Sequence, residues 1–217
     1  MTYRAVLFDL DGTLLDTLDD LSASANRVLR ANGFPEHPRD AYRYFVGDGA
    51  RNLVVRILPE DRRDKETIEA CLQAFRADYG ENWAVRTRPY EGVPEMLDAV
   101  AGRKLPMAVF SNKPDDATKA CVSEFLSRWE FRVVLGQRDG APVKPDPSGA
   151  IESARRIGIP PSDFLYLGDT ATDMKTAVRA GMFPVGALWG FRTEEELLRA
   201  GAAAIAAKPA DVPDLLG

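Results

Sequence analysis

The amino-acid sequence predicts an α/β fold, in which a doubly wound parallel-sheet core is interrupted by an inserted all-helical domain. Three observations predict it: a short apolar run at residues 4–8, helical periodicity through residues 17–83, and alternation of strand-like and helix-like segments after Pro89. Alternation of this kind favours a parallel sheet covered by helices. We therefore predict a core made of residues 1–15 and 84–217 and an insertion made of residues 16–83.

The first strand is predicted at residues 4–8 because the apolar run stops at the turn-forming sequence Asp9 to Gly12. Apolar residues with helical spacing then mark three segments of the insertion. They are Leu18, Leu21, Ala25 and Val28, then Leu53, Val54, Ile57 and Leu58, then Ile68, Cys71, Leu72 and Phe75. The insertion contains no candidate strand.

The second part of the core is predicted as alternating elements. We predict strands at 107–110, 133–135, 164–167 and 183–185. We predict helices at about 93–102, from about 114, from Pro147 to 157, and at 171–180, where Pro147 suits a first turn and Gly158 a helix end. Residues 197–207 are expected to form a terminal helix and the last edge of the sheet.

Composition narrows the classes of partner. The 217 residues are 45% hydrophobic and 28% charged, an ordinary globular composition. The net charge is −5 with scattered Lys and Arg, so nucleic acid and anionic membrane surfaces are disfavoured as partners. The longest uncharged stretch, 180–191, is too short for a membrane helix, and the N-terminus does not resemble a signal peptide.

Cysteine and histidine usage restricts the chemistry further. Cys71 and Cys121 both lie in apolar periodic segments, so we expect buried free thiols in a reducing, cytoplasmic location. His37 is the single histidine and lies in a polar segment between prolines, where we expect it to be solvated. One histidine disfavours both a Ser-His-Asp triad and a His-rich zinc site.

The chemically suggestive residues follow the predicted strands, and ligands of open parallel sheets bind at the carboxyl ends of strands. Three carboxylates at converging strand ends repel one another unless a cation intervenes, and oxygen-only ligands select a hard cation such as Mg²⁺. Lys144, hydroxyl groups and backbone N–H groups near Gly12 supply the opposite charge, so the set suits a phosphate group. The candidates are Asp9, Asp11, Gly12, Thr13, Ser111, Asn112, Lys144, Asp169 and Asp173.

Four segments of the chain together resemble the motifs of the haloacid dehalogenase superfamily, in the order that the superfamily shows. They are residues 8–13 (FDLDGT), Ser111-Asn112, Lys144-Pro145 and residues 168–173 (GDTATD). Residues 46–51, 111–114 and 189–192 are similar to segments of phosphoglycolate phosphatase-like enzymes. The resemblance implies a Rossmann-like core, with the helical insertion as a mobile cap linked near residues 16 and 84–89.

The resemblance also implies the role of each residue. Asp9 would attack phosphorus and form an aspartyl-phosphate, and Asp11 would act as general acid and then as general base. Mg²⁺ would be held by Asp9, the Asp11 carbonyl and Asp169, with Asp173 joining directly or through water. The phosphoryl oxygens would be bound by Ser111, Asn112 and Lys144, together with Gly12 and Thr13. The dehalogenases themselves lack the second aspartate, so Asp11 favours phosphoryl chemistry.

The expected activity is hydrolysis of a small phosphomonoester, with 2-phosphoglycolate as the leading candidate, by a monomer or homodimer. A phosphosugar mutase and a nucleotide- or pyrophosphate-directed phosphatase would share the same four motifs. An inactive phospho-ligand-binding module is a third alternative, although Asp9 and Asp11 are both present. Taken singly, each motif is also compatible with a turn, a helix cap or a solvated lysine.

Substrate choice is expected to depend on the cap. Arg51 follows a loop containing Gly47 and Gly49, and it would meet a substrate carboxylate or phosphate if that loop faced the catalytic strand ends. The alternative is that the glycines mark a helix start, Asp48 caps the helix and Arg51 lies on a solvated face. The sequence leaves both interpretations open.

Overall fold

The structure is a computed structural model that describes residues 2–217. The strands are β1 (Ala5–Phe8), β2 (Leu15–Asp16), β3 (Arg88–Pro89), β4 (Met107–Pro114), β5 (Phe131–Gln137), β6 (Phe164–Gly168), β7 (Phe183–Ala187) and β8 (Ala204–Ala206). The helices are α1 (Leu18–Ala31), α2 (Tyr42–Phe45), α3 (Ala50–Ile57), α4 (Lys65–Asn82), α5 (Val93–Gly102), α6 (Asp115–Phe125), α7 (Ser148–Ile157), α8 (Ala171–Ala180) and α9 (Glu194–Arg199). Within residues 2–217, no helix has both the length and the apolar character needed to cross a membrane.

Six strands form one sheet in the order β5-β4-β1-β6-β7-β8, and every neighbouring pair is parallel. Strand β1 lies between β4 and β6, with Val6 level with Met107 on one side and with Leu165 on the other. The carboxyl ends of these three strands therefore meet at one edge. The predicted α/β fold with a parallel-sheet core is confirmed.

The central strands are apolar and fully buried because helices cover the sheet. Every residue of β1 and β6 is buried, which explains why these strands are continuous hydrophobic runs rather than alternating ones. One side of the sheet packs in a cluster that includes Leu7, Phe110 and Tyr166. This packing fixes the strands whose ends carry the candidate site.

Four strands are longer than the sequence predicts: β6 by one residue, β7 by two, and β4 and β5 by four each. Strand β4 continues from Phe110 to Pro114, and β5 begins at Phe131 and ends at Gln137. The residues after Phe110 are polar, so the apolar pattern ends there, but Ser111, Asn112 and Lys113 are buried and remain extended. The pairing of β4 with β5 shifts register between Phe110 and Pro114, which local periodicity does not reveal.

The chain divides into two compact units, one with residues up to Leu15 and Pro89–Gly217, the other with Asp16–Arg88. The sequence predicts that the insertion ends at residue 83, whereas the helical unit of the structure continues to Arg88. The segment that precedes Arg88 is tied to the helices of its own unit. The Asp20 carboxylate of α1 accepts hydrogen bonds from the backbone N–H groups of Arg86 and Thr87 and from the Thr87 hydroxyl group.

The helical unit contains no strand between residues 17 and 83, as its periodicity predicts. The expectation of a solvated His37 is wrong, because this side chain is half-buried. Its ring packs edge-on against Tyr42 and Phe45, and its Nε2 lies 2.8 Å from the carbonyl oxygen of Ile57. The contact with Ile57 joins positions 20 residues apart, and the polar local sequence gives no sign of it.

Candidate active site

Three buried carboxylates come together at the carboxyl edge of the sheet. Asp9 follows β1, Asp169 follows β6, and Asp173 lies in the first turn of α8. Each offers one oxygen atom, and the three atoms lie within 4.8 Å of one another. Asp9 is 6% exposed, and Asp169 and Asp173 are fully buried.

Asp169 is held by donors on both of its carboxylate oxygens. The Thr13 hydroxyl group donates to Oδ1 at 2.9 Å, and the backbone N–H of Phe191 donates to Oδ2 at 2.8 Å. Burial and the nearby charge of Asp173 raise the pKa of Asp169 to about 7, although these two hydrogen bonds act in the opposite direction. The Thr13 hydroxyl group thus holds Asp169 here, and its contact with a phosphoryl group stays a prediction.

Asp173 has a structural and an electrostatic role. It forms a capping box with Thr170 at the start of α8, since the Thr170 N–H and hydroxyl groups donate to Asp173 Oδ2. The other oxygen accepts from the Lys144 ammonium at 2.7 Å and from the Tyr166 hydroxyl group at 3.3 Å.

The Lys144 ammonium lies between two of the carboxylates. It donates to Asp9 Oδ1 at 2.7 Å as well as to Asp173, and its third donor meets the Phe110 carbonyl at 3.0 Å. Burial disfavours the charged ammonium, but the Asp173 and Asp9 charges outweigh it and raise the pKa of Lys144 above its usual range. Burial and Asp173 raise the pKa of Asp9, and Lys144 opposes this shift.

Asn112 fixes the segment that carries Lys144. Its side-chain oxygen accepts from the Lys144 backbone N–H at 2.8 Å, and its amide group donates to the Lys144 carbonyl at 3.2 Å. The asparagine therefore ties the end of β4 to the Lys144 loop. Ser111 is buried beside it and accepts the backbone N–H of Lys113 at 3.2 Å. Binding of phosphoryl oxygens by Ser111 and Asn112 stays a prediction.

The donor set suits a hard divalent cation. Three buried carboxylates share this edge, and the Lys144 ammonium contacts only two of them, Asp9 and Asp173. Buried like charges need further positive charge nearby, and oxygen-only ligands favour Mg²⁺, Mn²⁺ or Ca²⁺ over softer metals. The Asp11 carboxylate is not in this cluster, so only its backbone carbonyl is left for the ligand role that we predict.

The turn after β1 leaves no room for a side chain at Gly12. Gly12 has φ +92°, and a Cβ atom there would overlap Oδ2 of Asp169 and lie 2.7 Å from the Phe191 ring. The absence of a side chain is therefore what allows this turn to approach Asp169.

We expect Gly12→Ala to destabilise the fold by about 2–5 kcal/mol, because it combines an unfavourable φ with overpacking. Gly33→Ala is the matched control, since Gly33 also has a positive φ of +69° but has nothing within 4 Å of the added Cβ. We expect the control to cost about 1–2 kcal/mol. Denaturant unfolding measures both values, and equal losses would contradict the overlap at Asp169.

Several contacts of the site are not evident from the sequence. Lys113 at the end of β4 donates to Asp11 Oδ1 at 3.1 Å and to Oδ2 at 3.4 Å. The Tyr166 hydroxyl group donates a hydrogen bond to Asp173, and the backbone N–H of Phe191 donates one to Asp169. Lys113 could have been considered, because it follows Ser111-Asn112 at a predicted strand end. Tyr166 lies in an apolar strand and gives no such signal.

Arg51 belongs to the helical unit, where it lies in the first turn of α3. Gly49, rather than Asp48, occupies the N-cap position, and the Asp48 carboxylate pairs with Arg56 instead. The Arg51 guanidinium is about half exposed and pairs with the Glu69 carboxylate of α4. A role for Arg51 in substrate binding stays a prediction.

Comparison with known proteins places this geometry in a family. The family model described as haloacid dehalogenase-like hydrolase matches residues 6–187. The phosphoglycolate phosphatase of Aquifex aeolicus is 31% identical over 188 residues, which cover 87% of this chain and 86% of the relative. The N-acetylmuramic acid 6-phosphate phosphatase of Pseudomonas aeruginosa is 32% identical over 217 residues, which cover 100% and 96% of the two chains.

The solved structures agree with the sequence comparison. The crystal structure of a predicted phosphoglycolate phosphatase from Haemophilus somnus superposes with a TM-score of 0.90 and 25% identity, covering 100% of this chain and 99% of that one. The matched region contains all four predicted motifs, from residues 8–13 to residues 168–173. The chain therefore belongs to the haloacid dehalogenase-like hydrolase family.

Proposed function

We propose that this protein is a magnesium-dependent phosphomonoester hydrolase that acts through an aspartyl-phosphate on Asp9. The observation that carries the proposal is the pairing of the buried Asp9 carboxylate with the buried Lys144 ammonium at 2.7 Å, beside Asp169 and Asp173. This arrangement supports the proposal, because Asp9 as a nucleophile would lie next to an ammonium group that would neutralise phosphoryl oxygens. The phosphatases among its relatives support the same reaction class.

The reaction would proceed in two halves. A carboxylate oxygen of Asp9 attacks phosphorus, the bond from phosphorus to the ester oxygen breaks, and the departing oxygen takes a proton from the Asp11 carboxyl group. Water then gives a proton to the Asp11 carboxylate and attacks phosphorus, and the bond from phosphorus to Asp9 breaks. An alcohol and inorganic phosphate are released, and both aspartates return to their starting states.

The remaining residues would bind Mg²⁺ or balance the negative charge of the phosphoryl oxygens. Asp9, Asp169, Asp173 and the Asp11 carbonyl would hold Mg²⁺, which supplies positive charge for the phosphoryl oxygens when bound. Lys144 would stabilise the same oxygens in the transition state. Asn112 would keep Lys144 in place through its two backbone hydrogen bonds.

The substrate class that we favour is a phosphomonoester that also carries a carboxylate, with 2-phosphoglycolate as the leading candidate. Phosphoglycolate and N-acetylmuramic acid 6-phosphate, which are named for two of the relatives, both combine these groups. The second compound is a specific alternative, because the relative named for it matches the full length of this chain.

A substrate panel tests the proposal. We expect Mg²⁺-dependent phosphate release from phosphomonoesters, with kcat/KM highest for a carboxylate-bearing substrate, since kcat/KM measures discrimination. Turnover only after priming by a sugar bisphosphate would indicate a mutase, and preference for nucleotides or pyrophosphate would indicate that alternative. Binding of phosphate compounds without turnover would contradict the proposal and indicate a binding module.

We propose that Arg51 binds the substrate carboxylate. In this structure its guanidinium group pairs with another carboxylate, that of Glu69. Arg51→Ala is expected to raise KM for 2-phosphoglycolate about 10- to 150-fold, corresponding to about 1.5–3 kcal/mol for a hydrogen bond to a charged group. KM for p-nitrophenyl phosphate, which has no carboxylate, is expected to change little. Steady-state kinetics on both substrates measure the difference.

Arg62→Ala is the control for this test, because Arg62 is an exposed arginine of the same helical unit whose nearest carboxylate, Asp61, lies 3.9 Å away. We expect it to leave both KM values unchanged. Equal losses with Arg51→Ala on the two substrates would indicate a structural role for Arg51. No loss on either would place it on a solvated face.

A further inference from the structure

Lys113 is a buried lysine whose ammonium donates to the Asp11 carboxylate. Its side chain is 4% exposed, and it donates to the two Asp11 oxygens at 3.1 and 3.4 Å. The Asp11 side chain is 19% exposed and so keeps some contact with solvent. A buried ammonium is costly to desolvate, and this pair compensates for that cost.

The backbone around Lys113 is fixed on both sides. The Lys113 N–H donates to the Ser111 hydroxyl group, and the Lys113 carbonyl accepts from the Thr118 hydroxyl group at 3.1 Å. On β5, a Cβ atom at Gly136 would come within 2.6 Å of that same carbonyl, so only glycine lets the strand approach here. The lysine therefore extends from a backbone with little freedom to move.

The Asp11 carboxylate that Lys113 contacts lies outside the carboxylate cluster proposed to hold the cation, although the Asp11 backbone carbonyl is assigned to that cation. Among the described residues, the clustered carboxylates are Asp9, Asp169 and Asp173, and Lys144 is the lysine that contacts two of them. The site thus has two lysine–aspartate systems. Lys144 contacts the proposed nucleophile, and Lys113 contacts the aspartate to which we assign proton transfer.

We propose that Lys113 is a positioning residue for Asp11: it fixes the carboxyl group that gives a proton to the leaving oxygen and takes one from water. This inference rests on the proposed function. A flexible aspartate at the open edge of the site would visit many rotamers, and contact with both oxygens restricts it to few. We therefore predict that loss of Lys113 lowers kcat/KM mainly for substrates whose leaving group needs a proton.

The test is Lys113→Met, compared on 2-phosphoglycolate and p-nitrophenyl phosphate. We expect kcat/KM for 2-phosphoglycolate to fall about 10- to 100-fold, because its alkoxide leaving group depends on general acid catalysis. For p-nitrophenyl phosphate, whose leaving group is stable as an anion, the fall is expected to be about threefold or less. Lys113→Arg should restore part of the loss, and Asp11→Asn/Lys113→Met should be no slower than Asp11→Asn alone.

Lys119→Met is the matched control, since Lys119 is an exposed lysine of α6 that pairs with Asp115. Lys119→Met should leave kcat/KM unchanged for both substrates. Equal losses with Lys113→Met on both substrates, or a rise in KM alone, would overturn the proposal and indicate that Lys113 binds the substrate directly.

A measurement that needs no turnover separates this inference from the proposed function. If the wild-type protein hydrolyses neither substrate, the proposed function fails, and a double-mutant cycle on the free energy of unfolding still tests the pair. We expect Asp11→Asn/Lys113→Met to be less destabilised than the sum of the single variants. Additive losses would show that the two side chains are not coupled and would overturn the inference.

Discussion

Asp9→Asn is expected to lower phosphate release by several orders of magnitude while the protein stays folded. The substitution keeps the side-chain volume but removes the charge of the proposed nucleophile and one proposed cation ligand. Burial and Asp173 already raise the pKa of Asp9, so removal of this charge relieves repulsion and is expected to maintain or increase the free energy of unfolding. The measurements are kcat in the presence of Mg²⁺ and denaturant unfolding of both proteins.

Asp116→Asn is a suitable control, because Asp116 is an exposed aspartate at the start of α6. It should retain wild-type kcat. If Asp9→Asn retained more than a tenth of the wild-type kcat, the aspartyl-phosphate mechanism would be wrong.

Removal of divalent cations is expected to abolish activity completely. EDTA should stop turnover, Mg²⁺ should restore it, and Ca²⁺ should not, because calcium takes more ligands at about 2.3–2.6 Å instead of about 2.0–2.1 Å. With Ca²⁺ bound, the longer distances from the cation to Asp9, Asp169 and Asp173 would misplace Asp9 relative to phosphorus.

A second readout tests the cation site without turnover. Mg²⁺ that binds the folded state should raise the melting temperature of the wild-type protein in a concentration-dependent way. Asp169→Asn should remove most of this stabilisation, whereas Asp116→Asn should keep it. Full activity in metal-free buffer, or the same Mg²⁺ response in both variants, would contradict the assignment.

The fold was predictable where local periodicity and packing agree. Helix α8 occupies the predicted residues 171–180, and α5 occupies the predicted residues 93–102, because apolar spacing, Gly181 and the flanking turns all mark their ends. The strand ends were less predictable. Strand β4 continues through Ser111 to Lys113 because tertiary contacts bury polar side chains there, and such contacts leave no local pattern.

The site could be anticipated as a set of residues but not as a set of contacts. Parallel strands bring Asp9 and Asp169 to one edge, so their proximity follows from the predicted topology. The hydrogen bond from Thr13 to Asp169 depends on a turn with a positive φ at Gly12 and could not be read from spacing. The pair of Lys113 with Asp11 links residues 102 positions apart and depends on the register of β4 against β1.

The most direct test of the central claim is to trap the phosphoryl group on the protein. Substrate labelled in the phosphoryl group would be mixed with excess enzyme and Mg²⁺, quenched in acid within the first turnover, and the labelled peptide identified by mass spectrometry. The account predicts label on Asp9 that forms and decays at rates compatible with kcat, and no label on Asp9→Asn. Release of phosphate in the first turnover without any labelled protein, or label on another residue, would contradict it.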